Sequence, residues 1–110
     1  MNRLGIRFGL IVILVLLASC LQAEDTDPQT GLTAEKPTVF MLSTDGCGWC
    51  VRWKNDVQPW VQSSGQWKVE ERYGLRARIY PTFRIWTGKR WLGHEGYMDR
   101  NTFRRLLKGR

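Results

Sequence analysis

The sequence predicts a single α/β domain. Three observations carry this reading. The apolar run Thr38-Val39-Phe40-Met41-Leu42 suits a strand covered on both faces. The next turn leads into a stretch in which Trp53, Val57, Trp60 and Val61 fall on one helical face, with Arg52, Lys54, Asn55, Asp56 and Gln58 on the other. Further on, Thr82–Thr87 alternates Phe83 and Ile85 with Arg84 and Trp86. Gly88-Lys89 then forms a tight turn, and Arg90–Gly93 returns as an edge strand.

Between the first strand and its helix, Thr44-Asp45-Gly46 is turn chemistry, and Cys47-Gly48-Trp49-Cys50 follows at once. Two cysteines at this spacing fit the first turn of a helix, close enough to form a disulfide or share a proton. Unpaired N–H groups at a helix N-terminus favour the thiolate of the leading cysteine. A thiolate attacks disulfides, so Cys47 reads as the attacking sulfur and Cys50 as the thiol that resolves the mixed disulfide. Pro59 ends or kinks the helix, and Ser63-Ser64-Gly65 closes the segment. Trp67–Glu70 reads as a short strand. Asp99 is an N-cap, Phe103, Leu106 and Leu107 are the apolar face of a last helix, and Gly109 ends it.

The first third of the chain lies outside this domain. Arg3 and Arg7 precede the apolar run Gly9–Ala18, which is short for a membrane span and has the layout of an export signal. Residues 1–19 are read as the signal, residues 20–36 as a flexible acidic tether, and residues 37–110 as the domain. The run ends in Leu17-Ala18-Ser19-Cys20, which resembles the lipobox of bacterial lipoproteins. That resemblance implies cleavage before Cys20 and lipidation of its thiol, in place of ordinary cleavage after Ala23 or an uncleaved anchor. Acyl chains in the plural give stable anchoring. Leu21, where inner-membrane lipoproteins carry aspartate, favours the outer membrane. Lipidation also accounts for the third cysteine, otherwise an odd thiol in an exported chain.

About 75 residues is small for one hydrophobic core, and the six Trp, four Phe and three Tyr of the chain supply much of the burial. A disulfide closing so short a loop as Cys47–Cys50 constrains the unfolded chain little, so the pair suits redox work better than stapling. Net charge is +7; from Lys36 onward fifteen Lys and Arg face six Asp and Glu. This basic balance reads as a solvated surface, or as attraction to anionic headgroups or an acidic partner. Nucleic-acid binding fits poorly with export. Structural zinc wants four ligands, and with Cys20 lipidated only Cys47, Cys50 and His94 remain, so no metal and no cofactor are expected.

The order of strand, Cys47-Gly48-Trp49-Cys50 at a helix start, Tyr73-Gly74-Leu75, Tyr80-Pro81-Thr82, hairpin and terminal helix resembles the thioredoxin family over residues 37–108. The resemblance implies a mixed central sheet with flanking helices. It implies Cys47 as nucleophile, Cys50 as resolving thiol, a redox-active Cys47–Cys50 disulfide, and a cis Pro81 that packs against the pair. A cis bond turns the Tyr80 backbone toward the cysteines, where an incoming chain pairs with it as a short strand. Trp49 is expected to be exposed beside the pair as a substrate contact, or to pack on Tyr80 or Trp53. The Gly-Trp dipeptide is nearest the Gly-Tyr of bacterial disulfide isomerases.

Two departures stand out. Fewer residues separate Cys50 from Pro81 than in a thioredoxin, so a full middle strand and a crossover helix do not both fit. Thioredoxins also keep a buried aspartate six residues before the first cysteine as proton acceptor for the resolving thiol, and here that position is Met41. Resolution is therefore expected to be slow, or to pass its proton to water. His94 is read as a surface residue and not a base. The function expected is that of a monomeric, membrane-tethered thiol–disulfide oxidoreductase. It acts in the periplasm-facing bacterial envelope on cysteine-containing exported proteins, and a membrane or periplasmic redox partner resets it. The alternative is a non-catalytic interaction module of an envelope assembly, such as a secretion or conjugation apparatus.

Overall fold

A computed structural model describes residues 25–109 of the chain. The expected signal and the lipidation candidate Cys20 lie outside the described residues. Two short strands, β1 (Asp25–Thr26) and β2 (Thr33–Ala34), come first. Then follow β3 (Thr38–Ser43), α1 (Gly48–Asp56), α2 (Gln58–Ser63), β4 (Lys68–Tyr73), β5 (Thr82–Trp86), β6 (Trp91–Glu95) and α3 (Arg100–Lys108).

The main sheet has the order β4-β3-β5-β6. β3 pairs parallel with β4, from Thr38 opposite Lys68 to Ser43 opposite Tyr73. It pairs antiparallel with β5, with Met41 opposite Phe83, and β5 pairs antiparallel with β6. The expected mixed sheet is therefore present, and every residue of β3 is buried. The edge strand β4 reads Lys-Val-Glu-Glu-Arg-Tyr, and its charges guard an open row of backbone groups.

Proline sets the break between α1 and α2. Pro59 has no N–H to continue α1, so the helix ends at Asp56 and the chain restarts as α2 with Pro59 in its first turn. Val57 bridges the break, donating to the Trp53 carbonyl at 2.9 Å and accepting from Val61 N–H at 3.0 Å. Trp53, Val57 and Val61 thus keep one buried face across it. In α3 the Asp99 carboxylate accepts from Thr102 N–H at 2.7 Å, as its position before the helix predicts.

Alternation along the strands builds two cores. Val39, Met41, Phe83 and Ile85 point to the helical side, where Trp53, Val57, Val61, Met98 and Phe103 cover them. The Trp53 indole N–H, which would be costly to bury alone, donates to the Met98 carbonyl at 3.0 Å. Phe40, Leu42 and Trp86 point to the other side, against Ala34, Leu32, Leu75, Ala77 and Trp91. No helix covers this second face among the described residues. The β1–β2 hairpin and residues 74–81, which run without a helix from β4 to β5, close it instead. After α2 the chain thus holds the six-residue β4 and then no helix before β5.

The expectation of a flexible acidic tether over residues 20–36 is corrected in its described part. Asp27 is fully buried. Its carboxylate takes Arg84 Nε at 2.7 Å and Nη2 at 2.9 Å, a bidentate pair spanning the sheet and the hairpin. The Thr30 hydroxyl donates to it at 2.7 Å and Gln29 N–H at 3.2 Å. Local composition marks this segment as polar. Its partner Arg84 lies 57 residues away, and only folding brings the two together. Gly93, opposite Arg84 on β6, leaves the space the guanidinium fills, and a Cβ there would run into Nη1.

Burial by itself would raise the Asp27 pKa, but the hydrogen bonds from Arg84, Thr30 and Gln29 and the charge of Arg84 outweigh it and hold the carboxyl below its ordinary value. A lowered folded pKa stabilises fully above the unfolded value, and the contribution is lost as pH falls below about 3.9, through the folded pKa. Asp27→Asn leaves the buried guanidinium without its counter-charge. Urea unfolding at pH 7 is expected to show a loss of about 3–5 kcal/mol, and the gap to wild type is expected to narrow below about pH 3.9.

Candidate redox site

The site sits where β3 hands over to α1. Thr44-Asp45-Gly46 turns the chain after the last buried residue of β3. Gly46 takes φ +73°, a left-handed conformation that a side chain would resist. Cys47 then adopts extended backbone as the N-cap of α1, and its Sγ accepts from Cys50 N–H at 3.1 Å. A sulfur thus fills the capping role usually taken by a hydroxyl or carboxylate oxygen. Cys47 and Cys50 are joined by a disulfide, with Cα atoms 5.3 Å apart.

The two sulfurs have different surroundings. Cys47 is half-buried at the helix start, while Cys50 is 1% exposed in the core beside Met41. In the reduced pair, the Cys50 N–H and the end of the helix dipole both favour a thiolate at Cys47, and apolar packing favours a protonated Cys50. A cavity of about 290 Å³ opens at the pair, lined by Ser43, Asp45, Cys47, Cys50, Lys54 and Tyr73.

Trp49, between the cysteines, is 54% exposed. Its ring contacts are Tyr97, with centroids 5.4 Å apart, and the Arg52 guanidinium at 5.2 Å. Trp53 packs instead on Phe83, so the expected alternative of Trp49 resting on Trp53 or Tyr80 gives way to Tyr97 and Arg52. Val51, Tyr73 and Ile79 are exposed apolar or aromatic side chains as well.

The Tyr80–Pro81 peptide bond is cis. Pro81 is buried, and its carbonyl accepts from Gly96 N–H at 2.8 Å. The Tyr80 hydroxyl donates to the Leu75 carbonyl at 2.7 Å and accepts from Ala77 N–H at 3.2 Å, which fixes the loop before β5. His94 lies on β6 with Nε2 3.3 Å from the Tyr97 carbonyl and its ring near Phe83. Among the described residues no three His, Cys, Asp or Glu side chains gather in a group that would hold a metal ion.

Local reading of the sequence passed over Lys54, Glu71 and Tyr97. Lys54 follows Cys50 by one helical turn. Glu71 is in register with Met41 on β4, and Lys54 Nζ reaches its carboxylate at 3.1 Å. Parallel pairing of β3 with β4 was the only signal for this, and it is visible only once the register is known.

No family model and no curated protein matches the chain. Among solved structures, the chain is similar to the solution structure of an uncharacterized thioredoxin-like protein from Clostridium perfringens. The TM-score is 0.56 at 21% identity, covering 72% of this chain and 74% of that one. The fold is thioredoxin-like, with a CxxC pair at the start of α1.

The unequal burial of the two sulfurs has a measurable consequence. After reduction, iodoacetamide is expected to label Cys47 and leave Cys50 largely unmodified in the folded protein. Peptide mass spectrometry would read both sites, and equal labelling would contradict the assignment of the buried sulfur.

Proposed function

We propose that the protein is a thiol–disulfide oxidoreductase that acts on cysteines of exported proteins. One observation carries the reading: a CxxC pair caps the active-site helix, with one sulfur accessible and the other packed in the core. In the reducing direction the Cys47 thiolate attacks a substrate disulfide, forming a Cys47–substrate bond and releasing one substrate thiolate. Cys50 then attacks Cys47 Sγ, closing the Cys47–Cys50 disulfide and releasing the second. The substrate gains two electrons and the pair loses two. Sulfur alone carries the electrons, so the cycle calls on no cofactor.

Trp49 offers an exposed aromatic surface beside the attacking sulfur, and the Tyr80 backbone before Pro81 offers a short strand for a substrate chain. On the sequence pattern of residues 1–20, the reading places the protein in the bacterial envelope, lipid-anchored at Cys20 and facing the periplasm. It works there as a monomer with a membrane or periplasmic partner that resets the pair.

Insulin reduction tests the activity. Turnover is expected for the wild type and none for Cys47→Ala, while Cys50→Ala is expected to accumulate mixed disulfide. No wild-type turnover, with partner binding that survives both substitutions together, would instead make the chain an interaction module. Equilibration with glutathione or dithiothreitol sets the direction: about −270 mV marks a reductase, and about −120 to −180 mV an oxidase or isomerase.

A further inference from the structure

Resolution of a mixed disulfide requires Cys50 as a thiolate, and its buried position holds the proton on sulfur. Some group must receive that proton. β3 offers none: it carries no acidic residue, and its Met41 belongs to the same buried core as Cys50. β4 does. Glu71 is the parallel partner of Met41, and partners in register point to the same side of the sheet, here the side α1 covers. Val69, two residues earlier on that side, packs into the same core as Cys50.

Lys54 completes the arrangement. It lies four residues after Cys50 on α1, so the two side chains share a helix face. Its Nζ is 3.3 Å from Glu71 Oε1 and 3.1 Å from Oε2. Lys54 also lines the cavity lined by Cys47 and Cys50. Glu71 Oε2 is shut off from water, with the Lys54 ammonium as its ion-pair partner. Each carboxylate oxygen keeps a lone pair beyond the one facing Lys54, so the group can still take a proton. The other nearby acids are open to water or face away, Asp45 among them although it lines the cavity. Asp45 is exposed in the turn before Cys47, Asp56 is exposed and paired with Arg52, and Glu70 faces the opposite side of the sheet with Lys68 and Arg72.

We propose that Glu71, oriented by Lys54, is the proton acceptor for Cys50. The inference rests on the oxidoreductase reading above. In the step, the Cys50 S–H proton passes to the Glu71 carboxylate, directly or through a bridging water. The Cys50 thiolate attacks Cys47 Sγ, the Cys47–substrate bond breaks, and the substrate leaves as a thiolate. The proton later returns to solvent or, in the oxidising direction, to Cys50. The titratable and charged groups around this path are Lys54 from α1, Tyr73 from β4, and Asp45 and Cys47 from the turn between β3 and α1. Acid and base thus come from the neighbouring strand and the helix, not from the strand before the cysteines.

Stopped-flow reaction of the reduced protein with 5,5′-dithiobis-(2-nitrobenzoate) separates the two attacks. The first thionitrobenzoate is released by Cys47, the second when Cys50 resolves the mixed disulfide. Glu71→Gln keeps the shape and removes the charge. It is expected to slow the second release on the order of 100-fold at pH 7 and leave the first as in wild type. The gap is expected to narrow as pH rises and hydroxide competes for the thiol proton. Glu71→Asp, which retains a carboxylate, is expected to recover most of the rate. An unchanged second release in Glu71→Gln would overturn the role of Glu71 alone. Equal slowing of both releases, with no recovery in Glu71→Asp, would reduce it to a structural residue. A wild type that never gives the second release would overturn the oxidoreductase reading, and this inference with it.

Discussion

The structure depends on removing β3 from water on both faces. Its six residues are all buried, and each alternate side chain needs its own cover. One side is met by α1, α2 and α3, whose aromatic and branched residues form the larger core. The other side would be left as an exposed apolar strip of Phe40, Leu42 and Trp86, at roughly 25 cal/mol for each Å² left wet. The β1–β2 hairpin and the loop after β4 cover it. With no helix between β4 and β5, the sheet stays covered on both sides by recruiting residues that look like a linker.

The Asp27–Arg84 pair is the fastening of that cover. Taking both charges out of water is costly, and the bidentate geometry with the added Thr30 and Gln29 bonds offsets the cost. Its value to the fold lies in orientation as much as in energy. Apolar packing alone would let the small hairpin slide over the sheet, whereas a two-pronged contact above Gly93 admits one placement. The smooth face presented by a glycine on β6 is part of the same contact.

Burial of β3 also positions the chemistry. The strand ends at Ser43 and the helix begins at Gly48, so the four residues between them are held from both sides. Cys47 becomes a helix cap near the surface, and Cys50, one turn in, becomes a core residue. The difference in exposure between the two sulfurs follows from the helix starting there. On the same side of the sheet, pairing with β4 brings Glu71 to Lys54, one helical turn after the buried cysteine.

Local sequence determined a good part of this protein. Apolar runs and alternation placed β3, β5 and β6, Pro59 placed the break between helices, and Asp99 and Gly109 placed the ends of α3. Each is decided by neighbours within a few residues, through propensity, capping and periodicity. Cys47 and Cys50 were legible for the same reason, since their spacing and the following helix are local facts. Tertiary structure alone decided the rest. Asp27 reads as one more acid in a polar stretch until Arg84 is brought to it. Glu71 reads as one charge of an edge strand until the register sets it beside Met41. Trp49 has Arg52 one turn along its own helix, but Tyr97 reaches it only in space. Such contacts depend on which strands pair and in what register, a property of the whole chain that no short window of residues encodes.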